Sequence, residues 1–372
     1  MPTHICHISQ SAGGVETYIL NVLRYADPAS FRHTVICYTN GTLAENARDA
    51  GADVILVPMV RSISPGKDVV SLFRVWSVLR EIRPDVIHAH SGKGGVFGRI
   101  CGTLLRIPVG LTPNAFSHLG QQGVPRAIAL AVEKLLSHAP CLLIASSPSE
   151  GKRAIEEVGW HPRKVTSRFV NSIDLDESAV HHAPKDTLQV LMIGRLSHQK
   201  NPEMFVRVAH IVSRQNPSVR FTILGAGYAS DEATQEVTQM IEERGLGDVV
   251  QLKAWAGKDV VEAELLQSDI YVSTSRYESF GYTTAEAMAK ALPVVATDVD
   301  GSVDLIEPGK NGYLVKVDDD ETMAFHVSTL AADSAVRERL GRCGRQRVAA
   351  VFNIKNNIKV VESIYRSLCE SQ

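Results

Sequence analysis

Short apolar runs alternate with helix-length segments along almost the whole chain, and this alternation restricts the fold more than any other feature. In the first half, strands are predicted near 3–9, 32–39, 53–58, 85–91, 107–112 and 141–147, and helices near 15–26, 42–50, 68–82, 94–105, 125–138 and 149–158. The strand runs are nearly continuously apolar, as in Asp53-Val-Ile-Leu-Val-Pro58. Strands of this kind are buried on both faces, which predicts a parallel sheet covered by helices on both sides.

A polar, irregular segment at 174–187 separates this series from a second one. The second series has strands near 188–194, 219–224, 249–254, 270–274, 293–297 and 312–315, helices near 202–215, 231–244, 260–267, 281–291 and 320–331, and two amphipathic helices near 335–351 and 356–369. A chain of 372 residues is long enough for two cores.

We therefore predict an α/β protein made of two doubly wound, Rossmann-like domains that face a shared cleft. The predicted first domain spans 1–173, the linker 174–187 and the second domain 188–352, and the helix in 353–372 is expected to pack back toward the first domain.

Composition narrows the function classes. The formal net charge is −2, which does not favour nucleic acid as a partner, and the six scattered cysteines predict a reducing cytoplasm and no metal site. Neither a secretory start nor an apolar run of membrane-spanning length is present. Apolar residues at helical spacing over 69–82 favour a core-facing helix with a solvated edge, while peripheral contact with the cytoplasmic face of an inner membrane stays open as the alternative.

The densest group of candidate site residues is Ser275-Arg-Tyr-Glu278-Ser-Phe-Gly281-Tyr-Thr-Thr-Ala-Glu286, directly after the predicted strand 270–274. A strand followed by a turn and a helix aims free backbone N–H groups at an anion, and Gly281 lets the backbone approach a phosphate closely. A carboxylate such as Glu278 or Glu286 accepts two hydrogen bonds from a vicinal diol. The alternative is that both glutamates only favour the helix start through its dipole.

A second strand–loop–helix unit carries two cations. Gly194-Arg195-Leu196-Ser-His-Gln-Lys200 follows the strand 188–194, and Pro202 suits the first helical position. Arg195 and Lys200 would flank the strand end, where a fork donor and a point charge can neutralise a diphosphate. A solvated basic loop is the alternative.

Loops of the first half also follow predicted strands. Gly13 and Gly14 open the first helix and permit close approach of a phosphate or sugar, although the dinucleotide-binding motif is absent. His88 and His90 point to one side of their strand, but the sequence places no third ligand beside them, so no metal site is predicted. Asn114 lies in the loop after the fifth strand.

Together these elements resemble the retaining glycosyltransferases of the GT-B fold, in particular the family 4 or group 1 type that includes bacterial polysaccharide and lipopolysaccharide transferases. The resemblance covers nearly the whole chain, and its most specific part is the spacing of Glu278 and Glu286 around Phe280-Gly281. It implies a metal-independent, retaining hexosyltransferase without a cofactor. The implied substrates are a nucleotide diphosphate sugar, with UDP favoured, and a lipid-linked or oligosaccharide acceptor in bacterial cell-surface glycan assembly.

The resemblance also implies residue roles. Arg195 and Lys200 would stabilise the departing diphosphate, Glu286 would bind the ribose hydroxyls and Glu278 would face the transferred sugar. The residues implied in donor binding are Gly13, Gly14, Gly194, Arg195, Lys200, Trp255, Ser279, Phe280, Gly281, Tyr282, Thr283 and Glu286. Those implied in catalysis are Glu278, Arg195, Lys200, Asn114 and His90.

The chain departs from the family pattern at three places. Asn114 stands where members often carry a histidine, and an amide cannot act as a base, so His90 and His118 are candidates to replace it. Asn171-Ser172-Ile173-Asp174 replaces the usual Asn-Gly-Val-Asp, and Ser279 replaces a glycine. Two other functions stay open: a sugar-nucleotide epimerase, which would turn over the donor without an acceptor, and a silent subunit, which would bind nucleotide without turnover.

Overall fold

A computed structural model describes residues 1–10, 13–38, 42–59, 64–166, 168, 171–176, 187–226, 231–255 and 257–370. The chain divides into two compact units, and the boundary falls inside the segment predicted as a linker. Unit 1 comprises Met1–Asp174 together with Asn353–Gln372, and unit 2 comprises Leu175–Phe352. Most of the predicted linker, 177–186, lies outside the described residues.

Unit 1 is built on a parallel sheet of seven strands in its described part, in the order β3-β2-β1-β4-β5-β6-β7. The strands are β1 Thr3–Ser9, β2 Phe31–Cys37, β3 Asp53–Leu56, β4 Val86–His90, β5 Val109–Thr112, β6 Leu142–Ile144 and β7 Val165–Thr166. The helices are α1 Gly14–Tyr25, α2 Thr42–Asp49, α3 Pro65–Ile82, α4 Ser91–Leu105, α5 Gly123–Leu136 and α6 Pro148–Arg153. Short 3₁₀ segments at Ser117–Gly120 and Pro162–Lys164 and a π-helical turn at Ala154–Val158 complete the unit.

Glycines set how closely α4 approaches this sheet. A side chain at Gly94 would come within 2.4 Å of the carbonyl oxygen of Ile8, and one at Gly98 within 2.5 Å of Ala89. The helix axis can therefore lie near the strands, which positions the first turn of α4 directly at the carboxyl end of β4.

The helix at the C-terminus of the chain belongs to unit 1. It spans Ile354–Glu370 and is numbered α14 because it is the last helix in chain order. Its start is held by a hydrogen bond from the Ile354 N–H to the Ile173 carbonyl at 3.0 Å. Farther along, Glu362 accepts from the Asp27 N–H at 2.9 Å, and Tyr365 is fully buried against the sheet. The amphipathic pattern of the helix thus buries its apolar face on unit 1.

Unit 2 has a six-stranded parallel sheet in its described part, in the order β10-β9-β8-β11-β12-β13. The strands are β8 Leu188–Ile193, β9 Val219–Ala226, β10 Val250–Ala254, β11 Ile270–Ser273, β12 Val294–Thr297 and β13 Gly312–Val315. The helices are α7 Pro202–Gln215, α8 Asp231–Glu243, α9 Lys258–Gln267, α10 Tyr282–Ala289, α11 Ser302–Leu305, α12 Asp320–Ala332 and α13 Ser334–Val351. Residues of the strands and of the helices packed on them form the core, among them Phe205 of α7 and Phe221 of β9 with ring centroids 5.5 Å apart.

The predicted α/β class and the two doubly wound sheets are confirmed. The structure adds the two-residue strand β7 and the short helix α11, which are too short to leave a periodic pattern in the sequence. The predicted helix over 149–158 is instead α6 followed by the π-helical turn at Ala154–Val158. None of the described helices has the length and the apolar character needed to cross a membrane.

Each sheet has a topological switch point, where the chain changes the direction in which strands are added. In unit 1 it lies between β1 and β4, and in unit 2 between β8 and β11. Loops that leave the carboxyl ends of two such strands diverge to opposite sides of the sheet and leave a crevice that can hold a ligand. In unit 2 these two loops are 194–201 and 274–281, the segments that sequence analysis selected.

Candidate functional site

Hydrogen bonds hold the two loops of unit 2 together at the switch point. The hydroxyl of Thr274 lies 2.8 Å from the carbonyl oxygen of Lys200 and 2.9 Å from that of Asn201. The Arg276 N–H donates to the Gln199 carbonyl at 2.7 Å, and the Gln199 amide donates to the Tyr277 carbonyl at 3.2 Å. Backbone carbonyls accept all four bonds, and the donors are a backbone N–H and two uncharged side chains, so the loops keep their positions without involving the charged ends of the site.

Lys200 and Glu278 form an ion pair across the two loops. The Lys200 ammonium donates to Glu278 Oε1, which also accepts from the Ser275 hydroxyl at 2.9 Å. Both side chains keep some contact with solvent, with 17% of the lysine and 10% of the glutamate side chain exposed. The structure thus brings together two residues that are 78 positions apart and that sequence analysis assigned to one site. The pair holds a cation ready beside the strand ends without burying an unpaired charge.

The first turn of α10 follows directly and has no side-chain cap. Gly281 precedes it with φ 87°, a left-handed conformation that favours glycine. The Tyr271 hydroxyl donates to the Thr283 hydroxyl at 2.8 Å, which ties this turn to β11. The N–H groups of Tyr282 and Thr283 therefore lie in the first turn of an uncapped helix, where the helix dipole favours an anion.

The loop before α10 packs closely against a second glycine. Gly301 has φ 76°, and a side chain there would lie 2.6 to 2.7 Å from the backbone atoms of Phe280. The Phe280 ring is fully buried and packs at 5.6 Å from Phe352 and at 5.0 Å from Tyr282. Phe280 is thus an anchor of the loop, and any contact from it to a ligand would come through its backbone.

Glu286 lies in the second turn of α10. Burial raises the pKa of Glu286 to about 7, while the charges of Lys258 and Lys200 act in the opposite direction. A carboxylate that titrates near neutrality in a ligand-binding loop cluster is a marker of a functional site. The uncapped helix turn, the Lys200–Glu278 pair and Glu286 all lie at the carboxyl ends of β8 and β11.

The other residues predicted in unit 2 flank this cluster. Gly194 and Arg195 directly follow β8, with Gly194 buried and Arg195 half-buried. The Lys200 side chain passes over Gly194, since a side chain at that glycine would lie 3.1 Å from Lys200 Cγ. Ser279 is half-buried, and Trp255, just after β10, is 41% exposed. Their roles in donor binding stay predictions.

Unit 1 carries a buried cluster of histidines that sequence analysis saw only in part. His7 Nδ1 lies 3.1 Å from His90 Nε2, and His7 Nε2 lies 3.1 Å from His33 Nδ1. The two nitrogens of His88 lie 2.8 Å from the hydroxyls of Tyr365 and Thr112. His7 and His88 are register partners in β1 and β4, and side-chain alternation along β4 puts His90 on the same face.

Burial keeps these rings neutral. Burial, together with the smaller effect of a neighbouring histidine, lowers the pKa of His88 to about 3 and that of His33 to about 4. For His7 and His90 burial likewise holds the pKa well below the usual range. The ring of His90 has no exposed surface. The catalytic role predicted for His90 thus stays a prediction without an accessible atom to support it.

His7, His88 and His90 each offer a ring nitrogen, and these nitrogens lie within 4.8 Å of one another. Three neutral imidazoles suit a divalent transition metal in number and chemistry. However, both nitrogens of His88 already have hydroxyl partners, so binding an ion would require one of those bonds to break. His7 is the third histidine that sequence analysis did not place. Its position could have been found from the pairing of the first and fourth strands.

The remaining predicted residues of unit 1 lie at strand ends. Gly13 has φ 80° and, with Gly14, is exposed at the start of α1, while residues 11 and 12 lie outside the described residues. Asn114 has φ 51°, and its amide donates to the Thr112 carbonyl at 3.1 Å, so it shapes the turn after β5. His118, considered as a substitute base, is fully buried, with Nε2 3.2 Å from Glu157.

Family comparisons cover both units. The family model described as glycosyl transferases group 1 matches residues 175–347, and the glycosyl transferase 4-like domain matches residues 13–167. Among curated relatives, the Escherichia coli UDP-Gal:alpha-D-GlcNAc-diphosphoundecaprenol alpha-1,3-galactosyltransferase is 24% identical, over 95% of this chain and 93% of the relative. The capsular polysaccharide biosynthesis glycosyltransferase CapM of Staphylococcus aureus is 22% identical, over 84% of each chain.

Solved structures agree on the fold. Sucrose-phosphate synthase from Thermosynechococcus elongatus superposes with a TM-score of 0.84 at 21% identity, covering 100% of both chains. HepE of Anabaena in complex with UDP and glucose gives a TM-score of 0.82 at 20% identity, covering 98% of this chain and 100% of the other. The two family models match successive parts of the chain, one in each unit. The chain therefore belongs to the group 1, family 4 type of glycosyltransferases and has their GT-B fold.

Proposed function

We propose that this glycosyltransferase is a metal-independent, retaining hexosyltransferase that takes its sugar from a UDP-sugar and transfers it to a lipid-linked or oligosaccharide acceptor of bacterial cell-surface glycan assembly. The observation that carries the proposal is the arrangement of Lys200, Glu278 and Glu286 beside the uncapped start of α10. The name of the Escherichia coli relative specifies UDP-galactose and a diphosphoundecaprenol acceptor, and HepE was solved with UDP and UDP-glucose, which supports the substrate classes.

The diphosphate of the donor would take the place beside Lys200 and Arg195, with the N–H groups of Tyr282 and Thr283 directed at its oxygens. Negative charge develops on the diphosphate as the glycosidic bond breaks, so cations and oriented N–H groups stabilise the transition state more than the ground state. These cations supply the positive charge for which other transferases use a metal ion. Glu278, held by Lys200 and Ser275, would face the hydroxyls of the transferred sugar.

Glu286 would accept hydrogen bonds from the ribose hydroxyls, for which the two oxygens of a carboxylate are suited. Retention would follow if the acceptor attacks on the face that the nucleotide leaves, with the departing phosphate taking the acceptor proton. In this route no side chain needs to act as a base, which fits Asn114 in place of a histidine and the inaccessible ring of His90.

Nucleotide binding tests the site first. Purified protein is titrated by calorimetry with UDP, GDP and ADP in the presence of chelator, alongside Glu286→Ala and, as a matched control at an exposed position of the same unit, Glu321→Ala. We expect UDP to bind without metal, Glu286→Ala to weaken it by at least about tenfold and Glu321→Ala to leave it unchanged. Equal binding by all three proteins would refute the assignment of the site.

Product analysis tests the reaction. Incubation with a UDP-hexose and a short-chain lipid diphosphate sugar should release UDP and form a disaccharide whose anomeric proton keeps the coupling constant of the donor. A coupling constant typical of the opposite anomer would refute retention. Conversion of the donor sugar without an acceptor would identify an epimerase, and binding without turnover would identify a silent subunit.

A further inference from the structure

The turn that follows β13 reaches both loops of the unit 2 site. Asp318 lies in this turn, and its carboxylate accepts hydrogen bonds from the Asn201 amide at 3.1 Å and from the Arg276 guanidinium. The same guanidinium donates to the amide oxygen of Asn201 at 2.9 Å. Each of these three side chains therefore bonds both of the others. We call Asn201, Arg276 and Asp318 the side-chain triangle.

Two members of the side-chain triangle are close neighbours in sequence of the charged residues of the site. Asn201 directly follows Lys200, and Arg276 precedes Glu278 by two positions. Asn201 is fully buried and has φ 51°, a left-handed conformation that asparagine adopts more readily than most residues. Because consecutive Cα atoms are about 3.8 Å apart, the placement of Asn201 sets the point from which the Lys200 side chain starts.

Arg276 is a cation in the loop after β11, where a direct contact with the donor diphosphate is the alternative role. Its two terminal nitrogens, however, donate to Asp318 and Asn201. The Asp318 carboxylate also accepts from Arg207 at 3.1 Å, and Arg207 pairs with Asp320 of α12 at 2.6 Å. The charge of Arg276 is thus paired within a network of side chains that spans the loops and α12.

We propose that Asn201, Arg276 and Asp318 are positioning residues, which hold the Lys200 ammonium against Glu278 for transfer of the sugar. The inference rests on the proposed function, in which Lys200 neutralises the departing diphosphate. Groups that stabilise a transition state act through their placement, and a misplacement of about 1 Å is enough to slow a reaction strongly. Loss of the triangle should therefore lower kcat more than nucleotide affinity.

Arg207 offers a matched control within the same network. It bonds the same carboxylate as Arg276, and 29% of its side chain is exposed against 26% for Arg276. Its other partner is Asp320, outside the two loops of the site. Arg207→Gln therefore removes an arginine–Asp318 pair of similar exposure and leaves the triangle closed, whereas Arg276→Gln opens it. Asn201→Gly also opens the triangle, and glycine keeps the left-handed backbone conformation accessible.

Lysine labelling of the full chain tests the positioning without any need for activity. The wild type and the three variants are acetylated briefly with acetic anhydride, and the modified fraction of each lysine is measured by mass spectrometry. Lys290, another ion-paired lysine of unit 2 with 14% of its side chain exposed against 17% for Lys200, is the reference. Relative to Lys290, we expect Lys200 to react at least about threefold faster in Arg276→Gln and Asn201→Gly, because its ammonium is no longer held against its partner. Arg207→Gln should react like the wild type.

Steady-state kinetics test what the positioning does for the reaction. With saturating acceptor, Arg276→Gln and Asn201→Gly should each lower kcat about tenfold and change the Kd of UDP less than about threefold. The double variant should be no slower than the slower single variant, because both substitutions open the same triangle. Arg276→Lys keeps the charge without the planar fork, so it should be as slow as Arg276→Gln. Arg207→Gln should keep the wild-type kcat.

Any of three results would overturn the proposal. The first is unchanged labelling of Lys200, or unchanged kcat, in both variants that open the triangle. The second is wild-type activity of Arg276→Lys, which would mean that Arg276 acts through its charge. The third is the same loss of kcat in Arg207→Gln as in Arg276→Gln.

Urea unfolding of each variant shows whether the fold is intact. If the wild type transfers no sugar while labelling of Lys200 rises as expected, the proposed function fails and the role of the triangle in holding Lys200 stands.

Discussion

The two switch points of this molecule have the same topology and opposite environments. In unit 2 the loops after β8 and β11 hold titratable groups that keep contact with solvent, pinned by hydrogen bonds from Thr274, Arg276 and Gln199. In unit 1 the titratable groups beside β1 and β4 are sealed: Tyr18 of α1 and Tyr365 of α14 each lie within 6 Å of the His88 ring. Charged groups that stay accessible and paired can serve a ligand, whereas neutral buried groups affect stability.

The largest expected effect tests the unit 2 side of this comparison. Lys200→Ala removes the cation that pairs with Glu278, and we expect the transfer rate to fall about 100- to 1000-fold, as on loss of a group that stabilises a leaving oxyanion. The rate of UDP release with saturating acceptor is the measurement. Lys310→Ala, which removes an exposed lysine paired with Glu307, should retain wild-type activity.

Gly301 and Gly309 both have a positive φ but differ in the space around them. Their substitutions therefore separate the effect of packing against Phe280 from the effect of backbone conformation. Gly301→Ala forces Cβ against the Phe280 backbone, whereas Gly309, with a similar φ of 77°, has open space at that position. We expect Gly301→Ala to lower the free energy of unfolding by about 2 to 3 kcal/mol and Gly309→Ala by about 1 kcal/mol. Urea unfolding and the KM for the donor are measured together. Equal values for the two variants would show that the loop tolerates displacement.

The unit 1 side predicts acid sensitivity of the fold. His33 has a pKa lowered to about 4 in the folded state, so the unfolded chain binds more protons below about pH 6.5. The contribution of His33 to the free energy of unfolding should therefore be fully present above pH 6.5 and be lost as the pH drops toward 4. His33→Gln should make the loss between pH 7.5 and pH 5 smaller by about 1 to 2 kcal/mol, measured by urea unfolding.

His138→Gln changes a histidine at an exposed position and is the control, for which the same loss as in the wild type is expected. An unchanged pH profile in His33→Gln would mean that other groups cause the acid sensitivity.

The smallest effect concerns donor affinity. With a pKa of about 7 for Glu286, roughly one-tenth of the carboxyl is ionised at pH 6 and nine-tenths at pH 8, so binding that requires the carboxylate should strengthen about tenfold over this range. Calorimetry with a UDP-sugar is the measurement. Glu286→Gln should bind more weakly and show no such change, and a flat wild-type profile would mean that the neutral acid binds equally well.

Much of the site in unit 2 was predictable because its chemistry lies in two contiguous segments. A strand, a glycine and then a helix can be recognised locally, and the position of Lys200 or Glu286 relative to its own strand follows from spacing. That the two segments meet depends on the strand order β8-β11, which the doubly wound pattern made the expected arrangement. The histidine cluster was recognised only in part, as His88 and His90, because His7 and His33 come from two other strands whose neighbours become visible only with the sheet.

The sequence alone determined the α/β class, the two-part organisation and the family, because hydrophobic periodicity and short motifs act over ranges of ten to twenty residues. The tertiary structure decided which charges are paired, which titratable groups lose their water and which apolar side chains stay outside. Lys200 meets Glu278, His88 meets Tyr365, and several apolar side chains of α5 face outward although the composition of this helix resembles that of a core helix. Burial and pairing are properties of the assembled chain, because each residue acquires its partners from segments distant in sequence.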